Sequence, residues 1–374
     1  MSKNTCKVFS ILLAGVVLIS SLTACGSGNT GTTTAATTGT TLAQSQSSEN
    51  TTTTEATTVA TTTTTEMAKN PENEKFVLEY PADMQEKGFK EPLVLEKRPQ
   101  RVVCLTASPV LALYEMGVNM VGIPKSRIIK WPEELVNNVE IIPFSPMSPE
   151  DFDFESLVVL EPDLVILTSG SKDSAGKKIT EEFKIPVYYL MGGHSVKYSS
   201  VKLQTEQLVK AFGTGDAEEK GKALMKRFDD LEAKIAKVKD SFKGIKVMVL
   251  ASSGDKHFIQ PKGGTLGSML DMLGFENVFQ NEKNSMVQLD MEQALSYEPD
   301  YVVCAGGGTP EQHKELMQKV FAENPDYWHT ISAIKEGKVL YLGVEYVPSA
   351  GINVIDNISN LVDYMAELTG VKVE

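Results

Sequence analysis

The sequence predicts an α/β protein built twice, with two lobes of alternating strands and helices joined by one long helix. Three observations predict this. The stretch "FESLVVLEPDLVILTSG" (154–170) returns as "MEQALSYEPDYVVCAGG" (291–307), at an offset of 298 − 161 = 137 residues. Short apolar runs alternate with helical patterns in both halves, the pattern of parallel sheets flanked by helices. Between the halves lies "TGDAEEKGKALMKRFDDLEAKIAKVKDSF" (214–242). There Gly221, Leu224, Phe228, Leu231, Ile235 and Val238 recur at spacings of three and four, one apolar stripe along a helix.

In the first half, "RVVCL" (101–105) is β-branched and bounded by a polar turn, so it reads as a buried strand. "SPVLALYEMG" (108–117) reads as a helix: Ser108 caps, Pro109 suits the first turn and Gly117 ends it. "MVGI" (120–123) is a second strand, "SPEDFDFESLVVL" (148–160) a capped helix stopped by "EPD", and "LVIL" (164–167) a third strand. "ITEEF" and "IPVYYL" (185–190) continue the alternation. The second half repeats it. "KVMVLAS" (246–252) is a strand and "GTLGSMLDMLGF" (264–275) a helix. "MEQALSY" (291–297) is a helix ahead of the strand "YVVCA" (301–305). "AIKEGKVLYL" (333–342) plays the part of "EFKIPVYYL", and "INVIDNISNLVDYMAELTG" (352–370) is a closing amphipathic helix. The boundaries are an N-terminal lobe over 95–197, linking helices over 198–243 and a C-terminal lobe over 244–374. Six stripe positions are few for a coiled coil. A stiff helix joining two lobes fits them better and limits hinge opening.

The bulk numbers agree with this scale. A chain of 374 residues exceeds the ~250–300 that one core supports. A 41% hydrophobic and 23% charged composition is ordinary for a globular protein. The net charge of −13 disfavours nucleic acid, whose recognition needs a basic face.

The N-terminus reads as an address. "MSKNTCK" carries two lysines, and the apolar run "VFSILLAGVVLISSL" that follows is short for a membrane span. Residues 1–24 read as a secretory signal ending in "LTAC". Small residues before Cys25 resemble a bacterial lipobox, in which Cys25 becomes the lipidated first residue. The alternative is a plain secreted protein with a chance cysteine. Residues 25–70 are mostly threonine, with almost nothing apolar to offset the entropy of ordering. They read as a disordered tether from lipid to body, or as a glycosylated stalk. Cys6 leaves with the signal. Cys104 and Cys304 lie in separate strand-like runs and read as buried apolar residues rather than a disulfide.

The body, over roughly 95–372, resembles the substrate-binding proteins of ABC importers for ferric siderophores, haem and vitamin B12. The resemblance rests on "RVVCLTASPVLALYEMGVNMVGIP", "FESLVVLEPDLVILTSG", "GGTLGSMLDMLGFENVF", "MEQALSYEPDYVV" and "WHTISAIKEGKVLYL", taken in this order and spacing. It implies two Rossmann-like lobes, one backbone helix and a ligand cleft between the lobes. It implies a lipid-anchored monomer on the outer face of the cell membrane, without catalysis, nucleic acid or a resident cofactor. The implied partners are a permease dimer with its ATPase subunits, and the cargo is a ferric siderophore, haem or cobalamin. In such proteins an acidic residue on each lobe pairs with permease arginines. Those positions fall on Glu155 and Glu292, the pair that the 137-residue repeat already superimposes. Carboxylate–arginine pairs supply register and orientation. The plain reading is a pair of solvated first-turn glutamates favoured by the helix dipole.

Ligands of open α/β sheets sit beyond the carboxyl ends of the strands. That rule selects the loops "TASP" (106–109), "TSGS" (168–171), "MGGHS" (191–195), "SSGDKHF" (252–258) and "AGGGT" (305–309), hence Thr106, Ser108, Thr168, Ser169 and Ser253. All five are equally compatible with plain turns. His194 and His257 lie one in each lobe. As an axial ligand either would suit haem iron, and as a surface residue either would be unremarkable. Trp131 and Tyr346 are candidate walls, while Tyr188 reads as core. Arg127, with Lys125 and Lys256, suits an anionic siderophore or a haem propionate. His313 and His329 read as helix-surface residues. Two cleft histidines are too few for a bare zinc or manganese site, so no direct metal site is assigned and a chelated metal fits better. The rivals are an enzyme, for which no nucleophile elbow, P-loop, HExxH or G-x-G-x-x-G after a strand is present, and a surface receptor that uses this fold without a permease.

Overall fold

The computed structural model describes residues 75–373 other than 146–147, 149–150, 193–195, 254–255, 281–282, 291, 293, 295 and 349–350. The signal peptide, Cys25, the tether and His194 lie outside the described residues, as does the side chain of Ser253.

The chain enters through an unforeseen pair of short antiparallel strands, β1 (Phe76–Leu78) and β2 (Leu93–Leu95). Tertiary contacts hold them: Phe76 packs on Phe212 at 4.9 Å, and Tyr80 stacks on Tyr188 at 4.8 Å. Tyr188 is fully buried and donates its hydroxyl to the Glu79 carbonyl. Its core reading therefore stands.

The first lobe is a five-stranded, all-parallel sheet in the order β5-β4-β3-β6-β7. Its strands are β3 (Val102–Cys104), β4 (Met120–Pro124), β5 (Glu140–Ile142), β6 (Leu164–Thr168) and β7 (Val187–Leu190). Chain order reverses between β3 and β6, so the carboxyl ends of these two strands flank a topological switch point. Helix α1 (Val110–Glu115) begins two residues later than its sequence pattern, without a side-chain cap from Ser108. Gly117 ends it at φ +76, a region that suits glycine. Helix α2 (Phe154–Val159) is also shorter than expected. Asp153, not Ser148, caps it by accepting from the Glu155 and Ser156 amides.

Helices α3 (Tyr198–Phe212) and α4 (Glu218–Phe242) carry the chain across. All six stripe residues of α4 are buried, joined by Phe242. At 25 residues it runs about 37 Å. Arg227 of α4 reaches Glu115 of α1 at 3.0 Å and Asp356 of the last helix at 3.5 Å.

Among the described residues the second lobe has six strands: β8 (Lys246–Ser253), β9 (Lys256–Ile259), β10 (Glu276–Asn277), β11 (Val287–Gln288), β12 (Tyr301–Gly306) and β13 (Val339–Leu342). The order β11-β9-β8-β12-β13 keeps β8, β12 and β13 parallel. The repeat holds in space, because Leu164 and Tyr301, 137 apart, open equivalent strands. One expectation fails. "SSGDKHF" is not a simple loop: β9 folds back antiparallel on β8, pairing Ser252 with His257 and Ser253 with Lys256. Helices α5 (Thr265–Met272), α6 (Pro310–Glu323) and α7 (Val354–Thr369) complete the lobe. The result is two α/β lobes joined by one long helix.

Candidate ligand-binding site

In the first lobe, β3 and β6 deliver Thr106 and Thr168 to the switch point. Thr106, Ser108 and Thr168 are buried, and Ser169 is half-buried. A Cβ placed on Gly192, just past β7, would stand 2.7 Å from Thr168 Oγ1 and 3.7 Å from Thr106 Oγ1. The two hydroxyls thus converge under a glycine with no room for a side chain. Cys104 Sγ donates to the Thr106 carbonyl at 3.1 Å, and burial pushes its thiol up to about 12. This cysteine fixes a loop and does not react. Ser171 is fully buried, and its Oγ has no partner among the described residues. Sequence reading passed over it, although it closes the loop it selected.

The loop after β4 leaves the same sheet edge. Ser126 Oγ accepts from the Ile128 and Ile129 amides, and Trp131 Nε1 donates to the Pro124 carbonyl at 3.0 Å. Trp131 is half-buried, and Lys125 and Arg127 are exposed.

In the second lobe, register places His257, Ser252 and Gly306 side by side across β9, β8 and β12. Directly opposed residues share a face of a sheet, and α6 covers this row. A Cβ on Gly306 would fall 2.3 Å from His313 Cε1, and Ser252 Oγ contacts both His257 Nδ1 (2.9 Å) and Met317 Sδ (3.4 Å). His313 is fully buried, so the surface reading of this residue is wrong. Helix positions 313, 317 and 321 face the sheet, and His313 sits where the absent side chain of Gly306 leaves space. Neither of its ring nitrogens has a partner among the described residues. Burial first, and the charge of His257 second, push its pKa down to about 4. His329 is exposed, as expected, and so is Lys256.

Tyr346 does not serve as a cleft wall. It is buried, donates its hydroxyl to the Asn357 carbonyl at 3.2 Å, and braces α7, and burial raises its pKa. The signal for this lay in the neighbouring apolar residues of the closing helix. Glu155 is exposed on the first turn of α2, beside exposed Val158 and Val159. Glu292 is exposed in a helical residue 137 positions on. Cys104 and Cys304 are free and buried in different sheets. No helix among the described residues is long and apolar enough to cross a membrane.

Comparison with known proteins agrees with this architecture. The petrobactin-binding protein YclQ of Bacillus subtilis is 26% identical over 284 residues, covering 74% of this chain and 83% of YclQ. Its crystal structure covers 78% of this chain and 98% of its own at a TM-score of 0.59. The high-affinity heme uptake protein IsdE of Staphylococcus aureus is 24% identical, over 66% of this chain and 80% of IsdE. Its structure with heme has a TM-score of 0.56 and covers 70% of this chain and 97% of its own. A periplasmic binding protein from Veillonella parvula, 18% identical, has a TM-score of 0.62 over 80% of this chain and 100% of its own. These relatives are binding proteins, and the resemblance read from the sequence holds. The sequence model of the periplasmic binding proteins matches residues 102–346, from the first strand of the first sheet to beyond the last strand of the second, and the chain belongs to that family.

Proposed function

We propose that this protein is the extracytoplasmic solute-binding lipoprotein of an ABC importer, capturing an iron chelate (siderophore or haem) or cobalamin and delivering it to the permease. The observation that carries this reading is the pair of cargoes named by its relatives. Petrobactin is a siderophore and haem an iron porphyrin, and both proteins match most of the folded chain. The site geometry is compatible. Thr106, Ser108, Thr168 and Ser169 stand at the switch point of one lobe, with Ser252, Ser253 and His257 at the carboxyl edge of the other. Small hydroxyl and glycine loops let a bulky chelate approach the backbone, while Arg127, Lys125 and Lys256 meet its negative groups. His257, or His194, would offer an axial nitrogen to haem. Residues 1–24 act as the signal, Cys25 takes the lipid, and 25–70 form the tether. The protein has no catalytic step. Glu155 and Glu292 present the loaded lobes to permease arginines.

The test is a titration with haemin, cyanocobalamin and ferric siderophores, followed by tryptophan fluorescence and visible absorbance. Of the two tryptophans, Trp131 lies on a site loop and Trp328 is buried in the core. Quenching therefore reports on Trp131, and Trp131→Phe removes it. Saturable binding of one chelate names the cargo. A folded protein that binds none of them overturns the reading.

A further inference from the structure

We infer that Met317, acting through Ser252, sets the tautomer of His257, so that the ring holds its proton on Nδ1 and carries its lone pair on Nε2, the form that ligates a metal centre with an exchangeable position. The argument is one of donors and acceptors. A thioether sulfur only accepts, and a serine hydroxyl has a single proton. Ser252 Oγ lies 3.4 Å from Met317 Sδ, which is buried and takes that proton. Ser252 Oγ is then left as an acceptor toward His257 Nδ1, 2.9 Å away, and Nδ1 must donate. The hydrogen bond at one ring nitrogen decides what the other presents.

The arrangement is built rather than incidental. Strand register puts His257 and Ser252 directly opposite each other, and β12 supplies Gly306 on the far side of Ser252. The missing Cβ of Gly306 admits the His313 ring. Helix α6 brings His313 and Met317 down together, one turn apart. Met317 acts as a positioning residue: it is buried, and it acts on His257 only through Ser252.

The use of this tautomer rests on the proposed chelate-binding function, but the tautomer itself is measured without cargo. With four histidines in the chain, long-range proton–nitrogen correlation on protein labelled with ¹⁵N-histidine resolves each ring, and His257→Gln assigns the one in question. The wild-type ring is expected to favour Nδ1–H over Nε2–H by roughly tenfold, the ratio that one ordinary hydrogen bond supports. Met317→Leu conserves volume and releases the Ser252 proton to point at Nδ1. The ratio should fall to near unity or invert, and Ser252→Ala gives the same readout should the first variant not fold. A wild-type ring protonated on Nε2 overturns the inference, as does an Nδ1–H ring indifferent to both substitutions. If the tautomer follows Met317 and no chelate binds, the cargo reading falls and the relay stands. If a chelate binds to a protein whose ring is Nε2–H, the relay falls and the cargo reading stands.

Discussion

At the scale of single residues, His313 ties stability to pH. Its folded pKa of about 4 lies below the ordinary 6.5, because burial disfavours the charged ring. Between these values the unfolded chain binds the proton and the folded chain does not. Stability is therefore fully present above about pH 6.5 and is lost as pH falls toward 4. A shift of this size is worth about 3 kcal/mol. Urea unfolding at pH 7.5, 5.5 and 4.5 should show the loss, and His313→Leu should flatten that part of the profile. An unchanged profile would mean that the ring is solvated or paired. The burial of His313 was legible in principle, since it leads the apolar series Met317 and Phe321 at spacings of four. A polar side chain at the head of such a stripe reads equally well as its solvated end. Only the notch at Gly306, which belongs to another element, decides between the two.

At the scale of elements, legibility followed the range of the forces. The stripe of α4 is local periodicity, and every residue it named is buried. Phe228 is fully buried and meets the Tyr198 ring at 5.8 Å. Phe228→Ala should lower unfolding free energy by about 3–5 kcal/mol, through lost transfer and a residual cavity. On the opposite face Lys226 pairs with Asp230 in solvent, and Lys226→Ala should change it by less than about 0.5 kcal/mol. Denaturant midpoints of the two variants test the contrast, and equal shifts would refute the assigned face. The elements missed were those whose partners are distant. Strands β1 and β2 have three residues each and are held by Phe212 and Tyr188, more than 90 positions away. The hairpin of β8 and β9 turns back through polar residues that a loop would also use. The loops selected for the proposed site stand at strand ends in the structure, because the strand-end rule needs only strand order. Tyr346 was misplaced because its loop was read alone, whereas the apolar closing helix that follows buries it and holds its hydroxyl at the Asn357 carbonyl.

At the scale of the whole molecule, the two lobes meet along a seam as well as through α4. The turn after β13 brings Gly351, at φ +60, against the Ser108 carbonyl of the first lobe, where a Cβ would fall 2.2 Å from that oxygen. Gly351→Ala should destabilise by roughly 2–3 kcal/mol, from strained backbone and the forced separation. Because Ser108 borders the proposed site, it should also weaken cargo binding. Wild-type thermal stability in this variant would show that the contact is not part of the native seam. The proposed delivery to a permease asks for something else: on that reading both lobes are recognised at once. Glu155 and Glu292 are equivalent by the 137-residue repeat, and both are exposed. Next to Glu155, Val159 is 79% exposed, an apolar residue that a partner surface would cover. Charge across an interface governs orientation and partner choice, and a like-charge juxtaposition costs several kcal/mol. Reversal at both positions, Glu155→Arg with Glu292→Arg, should therefore abolish chelate uptake by cells while purified protein binds its cargo as before. Each single reversal should leave partial uptake, because the other lobe still docks. Glu86→Arg, exposed outside the repeated pair, is the control and should transport normally. Full uptake by the double variant would show that the two glutamates are solvated helix starts and would move the search for a partner to another face. Loss of both uptake and binding would place them in the cargo site instead.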